Sequence, residues 1–131
     1  MKRIITFGTF DVFHVGHVNI LERAAELGNY LIVGVSSDNL NYSKKGRYPV
    51  YSQDARCKII NSLKFVSEVF IEESLELKKE YILQYQADVL VMGDDWLGRF
   101  DWVKDVCEVI YLPRTPSIST TEIIEVVKSL K

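Results

Sequence analysis

Short apolar runs alternate along this chain with segments of helical period, and no other feature limits the fold as much. The runs are residues 4–7, 30–35, 66–71, 89–92 and 106–112. They are rich in branched and aromatic side chains and too short for buried helices, which predicts five strands. Residues 30–35 lack polar alternation, so that strand should be buried on both faces. Residues 15–27 carry Val18, Leu21 and Ala25 on one stripe, with Asn19, Glu22, Arg23 and Glu26 off it, and Gly28 closes the helix. Ser52 can cap a helix that turns Ala55, Ile59, Ile60 and Leu63 inward. Residues 74–85 and 120–130 predict two more helices, the last with Ile123, Val127 and Leu130 inward. Residues 36–51 read as a polar, basic loop. Strands that alternate with helices pair in parallel through right-handed crossovers. The expectation is an α/β chain, a doubly wound parallel sheet of five strands with helices on both faces. One core over residues 1–131 is what this length can build.

Charge and cysteine usage exclude several classes of function. Sixteen basic against eighteen acidic residues leave a net charge of −2, too little for binding nucleic acid by bulk charge. A local basic cluster holding a small anion is still allowed. Cys57 and Cys107 are too few for a disulfide framework and predict reduced thiols in a cytoplasmic protein. Asp11 interrupts the first apolar stretch too early for a signal peptide. No run approaches the ~20 apolar residues of a membrane span.

In a doubly wound sheet, ligands bind beyond the carboxyl ends of the strands, at the switch in strand order. The loops after the first, fourth and fifth strands are therefore the candidates. The first reads Gly8-Thr9-Phe10-Asp11-Val12-Phe13-His14-Val15-Gly16-His17. It contains neither Gly-x-x-x-x-Gly-Lys nor Gly-x-Gly-x-x-Gly. It does contain both histidines of the chain, three residues apart at a helix start, where they share a face. Free amides and the positive dipole end favour an anion there, and Gly16 leaves room for it. The alternatives are histidines that only cap and pack, or a metal site with Asp11. No further histidine or nearby cysteine completes a ligand set.

The loop after the fifth strand reads Arg114-Thr115-Pro116-Ser117-Ile118-Ser119-Thr120-Thr121. Ser119 with Glu122 is an ordinary capping box, but capping asks for none of Arg114, Thr115, Thr120 or Thr121. Lys44, Lys45 and Arg47, with Arg56 just inside the next helix, form a basic cluster that is either solvated or turned toward an anion. Asp94, Asp95 and Trp96 follow the fourth strand, and the carboxylates suit metal ligation, acid–base chemistry or loop solvation. Tyr30, Phe65, Phe70 and Tyr111 read as core rather than as a stacking platform.

His-x-Gly-His after a first strand resembles the signature of the nucleotidyltransferase superfamily. Residues 114–121 resemble the Arg-Thr-x-x-Ile-Ser-Thr-Thr motif of the small cytidylyltransferases, and Met92-Gly93-Asp94-Asp95-Trp96 is a third match. The resemblance spans the chain and is nearest to the enzymes that make CDP-glycerol. It implies a Rossmann-like fold and transfer of CMP from CTP to a phosphomonoester, most closely glycerol 3-phosphate, with pyrophosphate released. It also implies a service to teichoic acid or other cell-wall precursors, Mg²⁺ brought by the triphosphate, and a homodimer. The catalytic positions it implies are His14, His17, Lys44 and Arg114. Around the nucleotide it adds Thr9, Phe10, Gly93, Asp94, Thr115, Ser119 and Thr120; a carboxylate there can accept from the exocyclic amine of cytosine. For the acceptor it implies Asp11, Lys44 and Lys78. Three features depart from the pattern: Leu75 where a tryptophan is expected, Lys64 where an arginine is expected, and one extra residue between Lys44 and Ser52. An adenylyltransferase, a non-catalytic nucleotide-binding module and a metallohydrolase using His14 and His17 are the competing readings.

Overall fold

The structure is a computed structural model that describes residues 1–115 and 119–130, so Pro116, Ser117 and Ile118 of the second motif lie outside the described residues. The strands are β1 (Arg3–Gly8), β2 (Tyr30–Ser36), β3 (Glu68–Glu72), β4 (Val89–Gly93) and β5 (Glu108–Leu112). They form one parallel sheet in the order β3-β2-β1-β4-β5. The helices are α1 (Val15–Glu26), α2 (Asp38–Lys45), α3 (Gln53–Asn61), α4 (Lys78–Gln84) and α5 (Thr120–Ser129). The chain winds outward from β1 to β3 and then restarts on the other side of β1, so the switch point lies between β1 and β4.

Alternate residues of β1 feed two cores, which is why both faces must be covered. Ile4 packs with Leu21, Ala24, Val33 and Ile60, against α1 and α3. Ile5 and Phe7 pack with Ile32, Ile82, Leu90 and Phe100, against α4 and the turns before β5. Each such fully buried aliphatic side chain contributes roughly 1.5–3 kcal/mol. A Cβ on Gly34 would stand 2.6 Å from Phe7 Cδ1 and 2.7 Å from Phe70 Cζ, so those rings meet across β2 only over a glycine. No helix among the described residues is long and apolar enough to cross a membrane.

The structure corrects several local expectations. The basic segment is not all loop: Asp38–Lys45 is α2, capped by Ser37, whose hydroxyl accepts from Leu40 N at 3.0 Å, and closed by Gly46 at φ +73°. The third and fifth strands begin at Glu68 and Glu108, two residues later than expected, because Val66 and Val106 close the preceding turns. Residues 75–77 form a 3₁₀ turn ahead of α4. The inward side of α3 runs through Arg56 and Ile60, while Ala55 is exposed. On α5, Ile123 and Ile124 are half-buried, but Val127 and Leu130 are 61% and 71% exposed. Among the described residues, no element covers Val127 or Leu130 in the last turns of that helix.

Candidate active site

Two imidazoles build the start of α1. His14 is the N-cap, and its Nδ1 accepts from Gly16 N at 3.0 Å. His17 Nδ1 accepts from His14 N at 3.2 Å, the return bond of a capping box. With both Nδ1 atoms accepting, each neutral ring carries its proton on Nε2 and is a donor there. The rings stack at a centroid distance of 3.8 Å, and Phe10 and Phe13 flank His17. Burial first, then the His14 ring, push His17 down to about 4 against the pull of Asp11. Burial and then Arg114 lower His14. The pair is therefore a set of neutral N–H donors at pH 7.

The β1–α1 loop is strained and tied down. Phe10 and Val12 have φ values of +55° and +46°, unusual for any residue but glycine and most so for a β-branched one. Such positions persist where the surroundings fix them. Here Asp11 does so, accepting from Val12 N, Val50 N and Tyr51 N at 3.0, 2.7 and 2.9 Å. Arg56 completes the frame from inside. It is fully buried and donates to Tyr51 O and Thr9 O at 3.0 Å each, and to Ser36 O and Asp38 Oδ1 at 2.7 Å each. One guanidinium thus joins the β1 loop, the end of β2, α2 and the strap over residues 49–51.

A cavity of about 420 Å³ opens beside this loop at the switch point. His14, His17, Thr9, Phe10 and Gly93 line it, and so do Arg114, Thr115, Ser119 and Thr120. The two motifs touch: Thr120 Oγ1 donates to Asp11 O at 3.0 Å and stands 3.4 Å from His14 Nε2. Asn19 of α1 donates to Thr115 Oγ1 and Arg23 to Pro113 O, which holds the exit of β5 against α1. Ser119 caps α5, accepting from Glu122 N at 3.1 Å. The caps of α1 and α5 both face the cavity, so two positive helix ends converge on it.

Four expected positions sit differently. Asp94 is exposed in a 3₁₀ turn and is not part of the cavity wall; its neighbour Asp95 is, with Oδ1 2.6 Å from where a Gly93 Cβ would stand. Asp11 borders the cavity, but its carboxylate is taken up by backbone amides. Lys44 lines an adjoining cavity of about 280 Å³ rather than the first, and Lys45 borders both. Lys78 lies in that second cavity, fully buried and ion-paired with Glu72. Its ammonium lies 4.1 Å from the Phe7 ring centroid and 4.8 Å from that of Phe100. Sequence reasoning missed Glu72 and the frame role of Arg56, and it named Asp95 and Lys45 only as neighbours of Asp94 and Lys44. The one signal for Arg56 was its place four residues before Ile60, on the inward side of α3.

A family model described as cytidylyltransferase-like matches residues 5–126. Glycerol-3-phosphate cytidylyltransferase of Bacillus subtilis (strain 168) is 48% identical over 130 residues, covering 99% of this chain and 100% of that one. The Staphylococcus aureus (strain NCTC 8325 / PS 47) protein of the same name is 46% identical, covering 94% of this chain and 92% of its own. FAD synthase of Thermococcus sibiricus (strain DSM 12597 / MM 739) is 39% identical over 71% of this chain and 63% of its own. Among solved structures, the lipopolysaccharide core biosynthesis protein from Thermoplasma volcanium GSS1 superposes with a TM-score of 0.77 at 21% identity, over 88% of this chain and 98% of that one. That last likeness is one of fold.

Proposed function

The chain belongs to the cytidylyltransferase-like family and is a nucleotidyltransferase, and we propose that it transfers CMP from CTP to glycerol 3-phosphate, giving CDP-glycerol and pyrophosphate. The observation that carries this reading is the meeting of the histidine pair and the Arg114 segment at one cavity, with a second, lysine-lined cavity opening from it. An anionic phosphate oxygen of the acceptor attacks the α-phosphorus of CTP, and the bond to the β-phosphate oxygen breaks. The nucleophile is already ionised at pH 7, so no strong base is required. Catalysis is then positioning and stabilisation of moving negative charge.

Each residue has a role in that chemistry. His14 and His17 donate Nε2–H to phosphate oxygens. Arg114 forks two oxygens of the leaving pyrophosphate, which a lysine cannot do bidentately. Ser119, Thr120 and the amides opening α5 hold the tail, and Thr9, Phe10, Gly93 and Thr115 border the nucleotide. Lys44 and Lys78 hold the acceptor, while Lys45 and Asp95 stand between the two cavities. Asp11 acts through the strap it holds. Mg²⁺ would come with the triphosphate. Among the described residues Asp95 is a cavity-edge carboxylate with no hydrogen-bond partner, and no cluster of three or more His, Cys, Asp or Glu could cage a metal. One carboxylate plus phosphate oxygens suits Mg²⁺, which when bound offsets phosphate charge.

Pyrophosphate release from CTP, ATP, UTP and GTP, each with glycerol 3-phosphate, tests the reading. CTP should give the highest kcat/KM. Comparable values for ATP would overturn the cytidylyl assignment and leave the transfer chemistry standing. We also propose that the chain works as a homodimer, as its likeness to the small cytidylyltransferases implies. Light scattering at micromolar protein should give twice the chain mass of 15.1 kDa. Particles of the single-chain mass alone would refute that.

A further inference from the structure

We propose that Glu72 reads the hydroxyl groups of the acceptor, so that the second cavity selects a phosphorylated polyol over an alkyl or aminoalcohol phosphate. This rests on the acceptor occupying that cavity, as proposed above.

Glu72 ends β3, and its place is fixed by Ser37 N, which donates to its backbone oxygen at 2.9 Å. Its side chain is 2% exposed and that of Lys78 is 1% exposed. Oε2 accepts from Lys78 Nζ. Among the described residues no donor reaches Oε1, yet no buried side-chain oxygen lacks a partner, so Oε1 keeps accessible surface on the cavity. Lys78 gives one of its three N–H bonds to Glu72 and lies between the faces of Phe7 and Phe100. The cavity thus ends in an acceptor and a donor side by side, with Leu75 as an apolar wall. A hydroxyl is both donor and acceptor, and a polyol chain presents that pattern with carbon between.

Stability alone does not account for the pair, because buried ion pairs are commonly replaceable by packed apolar residues without loss. A phosphate ester without hydroxyls would leave Oε1 and the spare N–H bonds dry and unpaired, which is how polar sites reject truncated substrates. An ammonium-bearing acceptor would meet three lysines, Lys78, Lys44 and Lys45, against two carboxylates, Glu72 and Asp95, the first of them already ion-paired with Lys78.

The test is kcat/KM with CTP and four acceptors: glycerol 3-phosphate, 3-hydroxypropyl phosphate, propyl phosphate and phosphoethanolamine. The wild-type chain should favour glycerol 3-phosphate over propyl phosphate and over phosphoethanolamine by ~10²-fold or more, with 3-hydroxypropyl phosphate between. Glu72→Asp keeps the charge opposite Lys78 but retracts the carboxylate by one methylene. It should cut the preference about tenfold while leaving the CTP Kd unchanged. A purely structural Glu72 would lower all four acceptors together. An undiminished preference in Glu72→Asp, or equal use of propyl phosphate and glycerol 3-phosphate by the wild type, overturns the inference and spares the proposed reaction. Turnover of none of the four overturns the reaction, and the inference with it.

Discussion

Replacing His17 with alanine should lower kcat about 10²-fold or more, in line with the loss of one preorganised donor. The Kd for CTP should move only a few-fold, because Arg114, Ser119 and Thr120 still line the cavity proposed to hold the triphosphate. Its ring also closes the capping box, so a modest loss of stability, ~1 kcal/mol, accompanies the change. The acid limb of stability separates the two contributions. The folded pKa of His17, about 4, lies below the 6.5 of an unperturbed histidine. The unfolded chain therefore binds the extra proton first, and this group's contribution is complete above pH 6.5 and is lost as pH falls from 6.5 toward 4. The alanine variant should show a shallower fall across that window. Thermal melts at several pH values, with kcat and Kd at pH 7, decide the matter. A large fall in Tm with unchanged turnover per folded molecule would make His17 structural.

An Arg56→Met variant should be among the least stable single substitutions this chain can carry. Methionine fills much of the volume but leaves Thr9 O, Ser36 O and Tyr51 O without their donor and Asp38 without its cation. Asp38 is 32% exposed and can be solvated, so the loss falls mainly on the three backbone oxygens left without a donor, at about 1–3 kcal/mol each or roughly 3–5 kcal/mol together. Folded domains hold only about 5–15 kcal/mol in reserve. For a chain of this length, a loss of that size is a fall in Tm of roughly 10–20 °C. CTP affinity should weaken before the melt, because the strap over residues 49–51 and the β1 loop share this one guanidinium. Arg56→Lys should fall between, since a single ammonium cannot reach every acceptor of a planar fork. A Met variant that melts within about 3 °C of the wild type would show that the frame is held elsewhere.

The parts of the fold that were legible in the sequence are those where one local signal dominates. β1, β2 and β4 are continuous apolar runs because both faces are covered, and Ser52 and Ser119 mark their helices by capping. The switch point followed from the alternation, and with it the meeting of the two motifs. α2 was hidden because only Leu40 and Asn41 are buried along it; a hydroxyl cap, a closing glycine and the Asn41 amide hold it without an apolar stripe. Periodicity on α5 gave the side that Val127 and Leu130 share, but it cannot say whether another element lies opposite. Asp94 and Asp95 are indistinguishable as letters, and a single 3₁₀ turn decides which one faces the cavity. Charge misled at Arg56, which reads as part of the basic cluster, and Glu72 gave no signal, because a charge reads the same in sequence whether it faces water or the core.

The histidine capping box bears on how copies of such a chain diverge. Because the same two rings begin α1 and, in the proposed reaction, meet the phosphates, a duplicate freed from turnover would still be selected to keep them for the sake of the helix. Drift at either position meets two filters at once. Arg114 is different: it is exposed, and among the described residues it makes no hydrogen bond or ion pair. Nothing in the described structure would hold it once the chemistry ceased. In comparing paralogues, therefore, an intact histidine pair certifies a capped helix, and the arginine is the better marker of a working copy.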